Sequence, residues 1–281
     1  MPDHASNYKI GYPMTIIAMG REMGSRGKDV AQHVADLIGA SLIHYELIDH
    51  LADRTRLRKS HVVRFLEDGE DMLRALTPEE TLPAILSATE ILDIASIPES
   101  VVMRGWGGVA LLRAVPHVVR VRITAPLEVR VANLGARLVQ PDETRIREEI
   151  ALFDEAHAAI MNRHFGLDYD DPALYDLVLD TSELPPDQCA QCIVDFTNDK
   201  RFIETRTSRM RLVSLTTEAH VRALLKLHPP TRHVDIGVAA YGGAVTLSGR
   251  VDSASLRERC EQVALRVPGI TVVKNDLLIA A

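Results

Sequence analysis

Hydrophobic positions along the chain fall into short apolar runs separated by longer segments with helical spacing. The run Thr15–Met19 breaks into Gly20, Gly24, Ser25 and Gly27, and from Lys28 onward apolar residues recur at Val30, Val34, Leu37 and Ile38, the period of an amphipathic helix. This predicts strand, glycine loop, helix. Ser41–Ile43 then reads as a short strand and Glu46–Arg58, 60–76 and 79–96 as helices, with Pro78 placed for a first turn and Pro83 near a further start or kink. Val101–Met103 is a second compact run ending in glycines, Arg104-Gly105-Trp106-Gly107-Gly108, and is a candidate second rim of the same site. His117–Ile123 alternates Val with Arg as a strand does, and Ala125-Pro126 opens a helix to about Leu138. The segment 142–165 is charged and helical, Tyr175–Asp180 is another buried-type strand, and a helix follows from Pro185 or Pro186 to about Asn198. Strands alternating with helices predict an α/β domain over 1–198 with a mainly parallel sheet. In such sheets ligands bind beyond the C-terminal strand ends, where both glycine loops fall.

Residues 199–216 are polar and basic with no clear amphipathic period, and read as a linker. Residues 217–281 form a second unit: a helix over Glu218–Leu227, a turn at Pro229-Pro230, and a strand with Val234, Ile236 and Val238 on one side. A hairpin turn at Tyr241-Gly242-Gly243, a strand Ala244–Ser248, a helix Ser253–Arg266 with Ser253 as N-cap, and a last strand through Ile279 complete a small α+β sandwich. No catalytic cluster stands out in it.

The chain has 281 residues, 46% hydrophobic and 25% charged, enough to bury a full core. A net charge of -7 argues against a general nucleic-acid or anionic-membrane binder. The N-terminal stretch lacks a basic head followed by a sustained apolar run, and no stretch reaches the roughly 18 apolar residues of a spanning helix. A cytoplasmic protein without a transmembrane segment is therefore expected. Its three cysteines are too few for a disulfide framework. Cys189 and Cys192 form C-x-x-C without the two further ligands of a zinc site, and together with Ile193 and Phe196 they are expected to share one buried helical face.

The opening loop carries the most chemistry. Amides of Gly24, Ser25, Arg26, Gly27, Lys28 and Asp29, at the start of a helix, would converge on a phosphate, with the Lys28 ammonium adding a full charge. Against the pattern G-x-x-x-x-G-K-[ST], Gly27-Lys28 fit, while Glu22 stands for the first glycine and Asp29 for the Ser/Thr. A phosphate loop and a βα turn whose glycines only permit tight packing both remain open at this point.

In order along the chain, REMGSRGKDVA, LIGASLIHYELI, VVMRGWGG, RVRITAPLEVR and YDLVLDTSEL resemble the successive motifs of the cytidylate kinase-like family of P-loop nucleotide kinases. That family itself carries an acidic residue at the position of Asp29. The C-terminal stretch DIGVAAYGGAVTLSGRVDS, followed by VPGITVVKNDLLI, resembles a BON domain. The resemblance implies a P-loop nucleotide-kinase-like parallel sheet flanked by helices, joined to a small α+β BON domain that binds a protein or phospholipid partner, with a homo-oligomer as a candidate assembly. It implies ATP with Mg2+ as the bound cofactors, Lys28 and the loop amides on the donor phosphates, and Asp29 on the magnesium. It further implies Arg130, at the matched helix position, and Arg163, with Arg145 and Arg147, in the segment where such kinases have a closing lid, as phosphate clamps. Three positions depart from the family: Trp106 and His157 replace arginines and His44 replaces an aspartate. A single transition-state arginine is worth roughly 10³–10⁵ in rate. Two readings follow: a nucleoside monophosphate kinase, or a catalytically degenerate nucleotide sensor acting through the BON unit.

Overall fold

The computed structural model describes residues 14–44, 88–137 and 142–280. The helices expected over Glu46–Arg58, 60–76 and the first part of 79–96 lie outside the described residues; helix is present over 88–96.

Five strands, β1 (Ile16–Arg21), β2 (Ser41–His44), β3 (Val101–Arg104), β4 (Val118–Thr124) and β5 (Leu177–Asp180), form one sheet in the order β2-β3-β1-β4-β5. Every pairing is parallel, with Ile16 opposite both Val101 and Val118. The central strand explains why its sequence reads as a continuous apolar run. Ile16 and Ala18 enter the core on one face and Ile17 and Met19 the core on the other, so there is no solvent side to mark with polar residues. Helices α1 (Gly27–Ile38), α2 (Trp106–Leu112), α3 (Leu127–Gly135), α4 (Glu143–Phe165) and α5 (Pro186–Thr197) cover the faces. The N-terminus of α4 is capped by Asp142, whose side chain accepts from Arg145 N, and Gly166 closes it at φ 61.

The largest departure from the sequence reading is the stretch expected as a linker. A short 3₁₀ turn, Lys200–Phe202, leads to Thr205, which caps a 22-residue helix, α6 (Arg206–Leu227), through a reciprocal capping box with Ser208. The expected helix start at Glu218 is therefore late by three turns. Amphipathicity failed as a signal because the inward face of α6 includes Ser208, Ser214 and Glu218, all buried, whereas Val213 is half exposed. Leu212 and Ala219 belong to the same buried cluster as β1 and β3, and Val221 and Leu225 to the core of the C-terminal unit. One helix thus serves two cores.

The C-terminal sheet is β6 (Gly237–Tyr241), β7 (Ala244–Val251) and β8 (Val272–Ile279), with α7 (Ala254–Ala264) crossing between the parallel strands β7 and β8. Positive φ at Gly242 and Gly243 makes the tight β6–β7 turn. Val238, Val245, Leu247 and Leu277 pack with Cys260 and Val263 of α7. A second correction concerns α5: Cys189 is buried with Ile193, but Cys192 is exposed, because residues 189 and 193 lie nearly one above the other on a 3.6-residue helix and 192 is rotated away. Burial pushes the Cys189 thiol up to about 11.

His117, just before β4, is only 2% exposed and neither ring nitrogen has a hydrogen-bond partner among the described residues. Its Nε2 lies 3.7 Å from Glu204, next to the cap of α6. Burial holds its pKa below 6.5, opposed by Glu204 and assisted by Arg209. A folded-state pKa below the unfolded one means that the unfolded chain takes up the proton first, so stability is complete above 6.5 and falls as pH drops below it. The melting temperature is expected to decline between about pH 7.5 and pH 5.5, and His117→Gln to lessen that slope. An unchanged slope in thermal melts of the variant would refute this role.

Candidate phosphate-binding site

The loop after β1 is built from both sides of its backbone. At its start, Glu22 N donates to Ile123 C=O, and Glu22 C=O accepts from both Ser25 N and Ser25 Oγ, at 3.2 and 2.8 Å. At its end, Arg26 adopts a left-handed conformation, φ 57, and its carbonyl accepts from the amides of Asp29 and Val30. Between these points three carbonyls are held from outside: Met23 by Arg130 Nε (2.7 Å), Gly24 by Asn133 Nδ2 (2.9 Å) and Ser25 by Thr181 Oγ1 (2.8 Å). In a trans peptide the N–H points away from its own carbonyl, so the amides of Gly24 and Arg26 are turned from these donors, while that of Ser25 is spent on Glu22 C=O. The first amides of α1 point out of its open end, as in any helix. Lys28, the second residue of α1, is exposed there.

Arg130, expected as a phosphate clamp, lies against the loop with its guanidinium engaged by protein groups. Its side chain is 7% exposed, with Nη2 donating to both carboxylate oxygens of Asp154 on α4 at 2.8 Å and Nη1 3.7 Å from Glu22. In this arrangement it supports the loop from behind. Burial raises the Asp154 pKa despite this guanidinium. Arg163 falls in the last turn of α4, nine residues beyond Asp154 and so about 14 Å further along the axis; its side chain lies outside the described positions. Arg147 is partly exposed and bound to Glu128 and Glu143, and holds the Glu128 carboxyl below its usual range. Asp29, the third residue of α1, accepts from Arg26 Nε at 2.9 Å and lies 3.9 Å from Arg137.

Behind the loop lies a charged layer that sequence spacing did not reveal. Arg122 of β4, almost buried, donates to Glu22 Oε1 at 2.9 Å, to Tyr169 C=O at 2.7 Å and to Asp170, with the rings of Tyr169 and Tyr175 at 4.7 and 5.7 Å. Burial works against its charge, but Asp170 and Glu22 bind it so closely that its pKa is raised. Tyr169 in turn donates to Arg21 C=O, and burial pushes its phenol well above 10. The one signal for this layer was the pair of arginines, Arg120 and Arg122, set among the valines of β4.

The second glycine-rich segment is not a second phosphate loop. Gly105 alone turns the chain, at φ 137, and its amide donates to Met19 C=O. Trp106 already begins α2, and a Cβ at Gly107 would stand 3.1 Å from Ile91, and one at Gly108 3.5 Å from Ala18 and Met103. Those glycines let helix and sheet approach each other. His157 is buried on α4, its Nδ1 donating to Phe153 C=O at 2.7 Å.

A model of the cytidylate kinase-like family matches residues 16–183, more than half of the 281. The chain belongs to that family. A BON domain model matches 215–281. The chain is 28% identical over 109 residues to a cytidylate kinase of Sulfurisphaera tokodaii, covering 39% of this chain and 59% of that protein. It is 42% identical over 62 residues to osmotically-inducible protein Y of Escherichia coli K12, covering 22% of this chain and 30% of that protein. It therefore spans less than two thirds of the length of either relative. An uncharacterized protein from Eubacterium ventriosum has the same fold in its crystal structure, with a TM-score of 0.51 at 20% identity over 66% of this chain and all of that one. This member of the family thus combines a kinase-like nucleotide-binding fold with a BON domain. Among the described residues, no helix is long and apolar enough to cross a membrane.

Proposed function

We propose that the loop Gly24–Asp29 binds the phosphates of a nucleoside triphosphate, with ATP and Mg2+ as ligands, and that the kinase-like unit transfers phosphate to a nucleoside monophosphate. The observation that carries this reading is the loop itself, whose Met23, Gly24 and Ser25 carbonyls are each held by a side chain from α3 or the end of β5, beside Lys28. Phosphoryl transfer needs positioning and cations more than covalent chemistry. Gly24, Arg26 and Gly27 supply backbone amides, Ser25 closes the turn on Glu22, and Lys28 supplies charge. Asp29 offers one partly exposed carboxylate, and no group of three metal-ligating side chains occurs among the described residues. That donor set suits a magnesium ion that arrives on a nucleotide and keeps most of its waters. Magnesium there would neutralise charge on the transferred group, and Asp29 would orient it.

A second reading, a nucleotide sensor acting through the BON unit, is favoured by the engagement of Arg130 with Asp154 and by the histidine at 157. In either case residues 1–198 hold the nucleotide, 199–216 connect the units and 217–281 dock a protein or phospholipid partner, in the cytoplasm. Phosphotransfer from Mg·ATP across a panel of nucleoside monophosphates tests the choice. Turnover is expected, and Lys28→Ala is expected to lower it by roughly 10²–10³, the usual cost of one aimed electrostatic donor. Nucleotide binding without turnover in the parent protein would establish the sensor instead, and no thermal shift with Mg·ATP would overturn both.

A further inference from the structure

Glu22 stands where the phosphate-loop pattern has its first glycine, yet its carboxylate is bound to groups of β4 and of the β4–α3 junction and is only 16% exposed. Oε1 accepts from Arg122 Nη2 at 2.9 Å, and Oε2 accepts from Ala125 N at 3.2 Å and lies 3.7 Å from Arg130 Nη1. We propose that Glu22 is a positioning residue, a clamp that ties the start of the loop to the end of β4 and to α3 and so fixes the phosphate-receiving shape. The proposal deepens the phosphate-site reading above and rests on it.

Three observations carry it. First, the network holds two nearly buried guanidinium groups, on Arg122 and Arg130. Their other carboxylate partners lie toward solvent, Asp170 at 73% and Asp154 at 42% exposure, so Glu22 is the buried anion they share. Removing it leaves two nearly buried cations without their shared inner partner, the costly kind of loss in a low-dielectric site. Second, the backbone of Glu22 makes the first turn of the loop through Ile123 and Ser25, so a shift of its side chain is passed directly to the amides that follow. Third, the loop has no slack against α3. A Cβ at Gly24 would stand 2.6 Å from the carbonyl oxygen of Arg130, and a displaced α3 cannot leave the loop in place. Where other phosphate loops use a glycine to let the backbone bend, this chain uses an acidic side chain to hold it.

The full-length chain carrying Glu22→Gln or Glu22→Asp tests the clamp. A glutamine places an NH2 donor against Arg122 or Ala125 N; an aspartate keeps the charge but is one methylene short. Hydrogen–deuterium exchange over Gly24–Lys28, referenced to the buried β1 amides of Ile17–Met19 to correct for any global loss of stability, reads the loop; calorimetric titration with Mg·ATP reads the site. Exchange is expected to rise in the loop relative to β1 in E22Q. Affinity is expected to fall about tenfold, the scale of one charge-assisted hydrogen bond, with E22D intermediate in both. Loop exchange equal to that of the parent, or faster exchange with unchanged affinity, would overturn the clamp. A parent that does not bind Mg·ATP, together with faster loop exchange in E22Q, would support the clamp and remove the phosphate-site reading. If E22Q does not fold, E22D is judged by the same two measurements.

Discussion

Gly24→Ala is expected to weaken nucleotide binding about a hundredfold or more while the chain still folds. Gly24 sits at φ 83, and a Cβ there would meet the Arg130 backbone on three atoms: O at 2.6 Å and C and Cα at 3.0 Å. Left-handed backbone alone costs an L-residue roughly 1–2 kcal/mol. The overlap adds to it, because the obstacle is main chain of α3, held in turn by the Arg130 contacts with Met23 and Asp154, and not the free end of a flexible side chain. The cheapest relief is for the loop to leave α3, which would break the Asn133 bond to the Gly24 carbonyl and the Arg130 bond to Met23. Affinity for Mg·ATP is then expected to drop by about 10² or more, the equivalent of two or three hydrogen bonds. Gly166→Ala is the internal control. It has a similar φ, 61, with nothing within 4 Å of the added Cβ, so it carries the backbone penalty without the overlap. Calorimetric titration and denaturant unfolding of both variants separate the effects: Gly166→Ala should lose stability and keep affinity. Equal nucleotide affinities in the two variants would mean that the contact with α3 is irrelevant to the site.

The parts of this molecule that were legible in its sequence are those in which one physical signal dominates. Buried parallel strands announce themselves as apolar runs, and β1 and β3 are readable in that way; β5 gives the same signal although it is an edge strand with Val178 exposed. The βα junction at Gly24–Lys28 was readable because positive φ and close approach both demand glycine. The charged layer behind it was not. Nothing in the spacing of Glu22, Arg122, Arg130 and Asp154 says that they meet, since their proximity is a product of the parallel sheet order that puts β4 beside β1. The bonds of Arg130 to Met23 C=O and Asp154 leave no trace in the spacing either. Gly107 and Gly108 misled for a related reason: glycine serves helix packing as well as phosphate binding, and composition does not distinguish the two.

The linker illustrates the opposite failure, since residues 206–216 look solvated throughout, yet Ser208, Leu212 and Ser214 are buried. Their test is Leu212, which is fully buried in a cluster with β1, β3 and α2 although it lies in the stretch that reads as a connector. Leu212→Ala is expected to destabilise the chain by about 2–5 kcal/mol, the range for emptying a packed leucine site, against a few tenths for a leucine in an irregular tether. Leu225, on the same helix but in the core of the C-terminal unit at 3% exposure, provides the comparison. If α6 joins the two units into one cooperative structure, urea unfolding of the full chain shows a single transition and both variants shift it. Two transitions, with Leu212→Ala moving one and Leu225→Ala the other, would mean that the helix is a tether with two independent ends. The contacts favour the first outcome, because the junction is held at several levels. Arg209 donates to Ser96 C=O at 2.7 Å and His220 pairs with Asp93 at 2.8 Å on the kinase-like side, and Glu218 accepts from Ala240 N on the other. A nucleotide that tightens the first unit would then stabilise the second through the same helix. That is the physical requirement for the BON surface to respond to what the loop has bound.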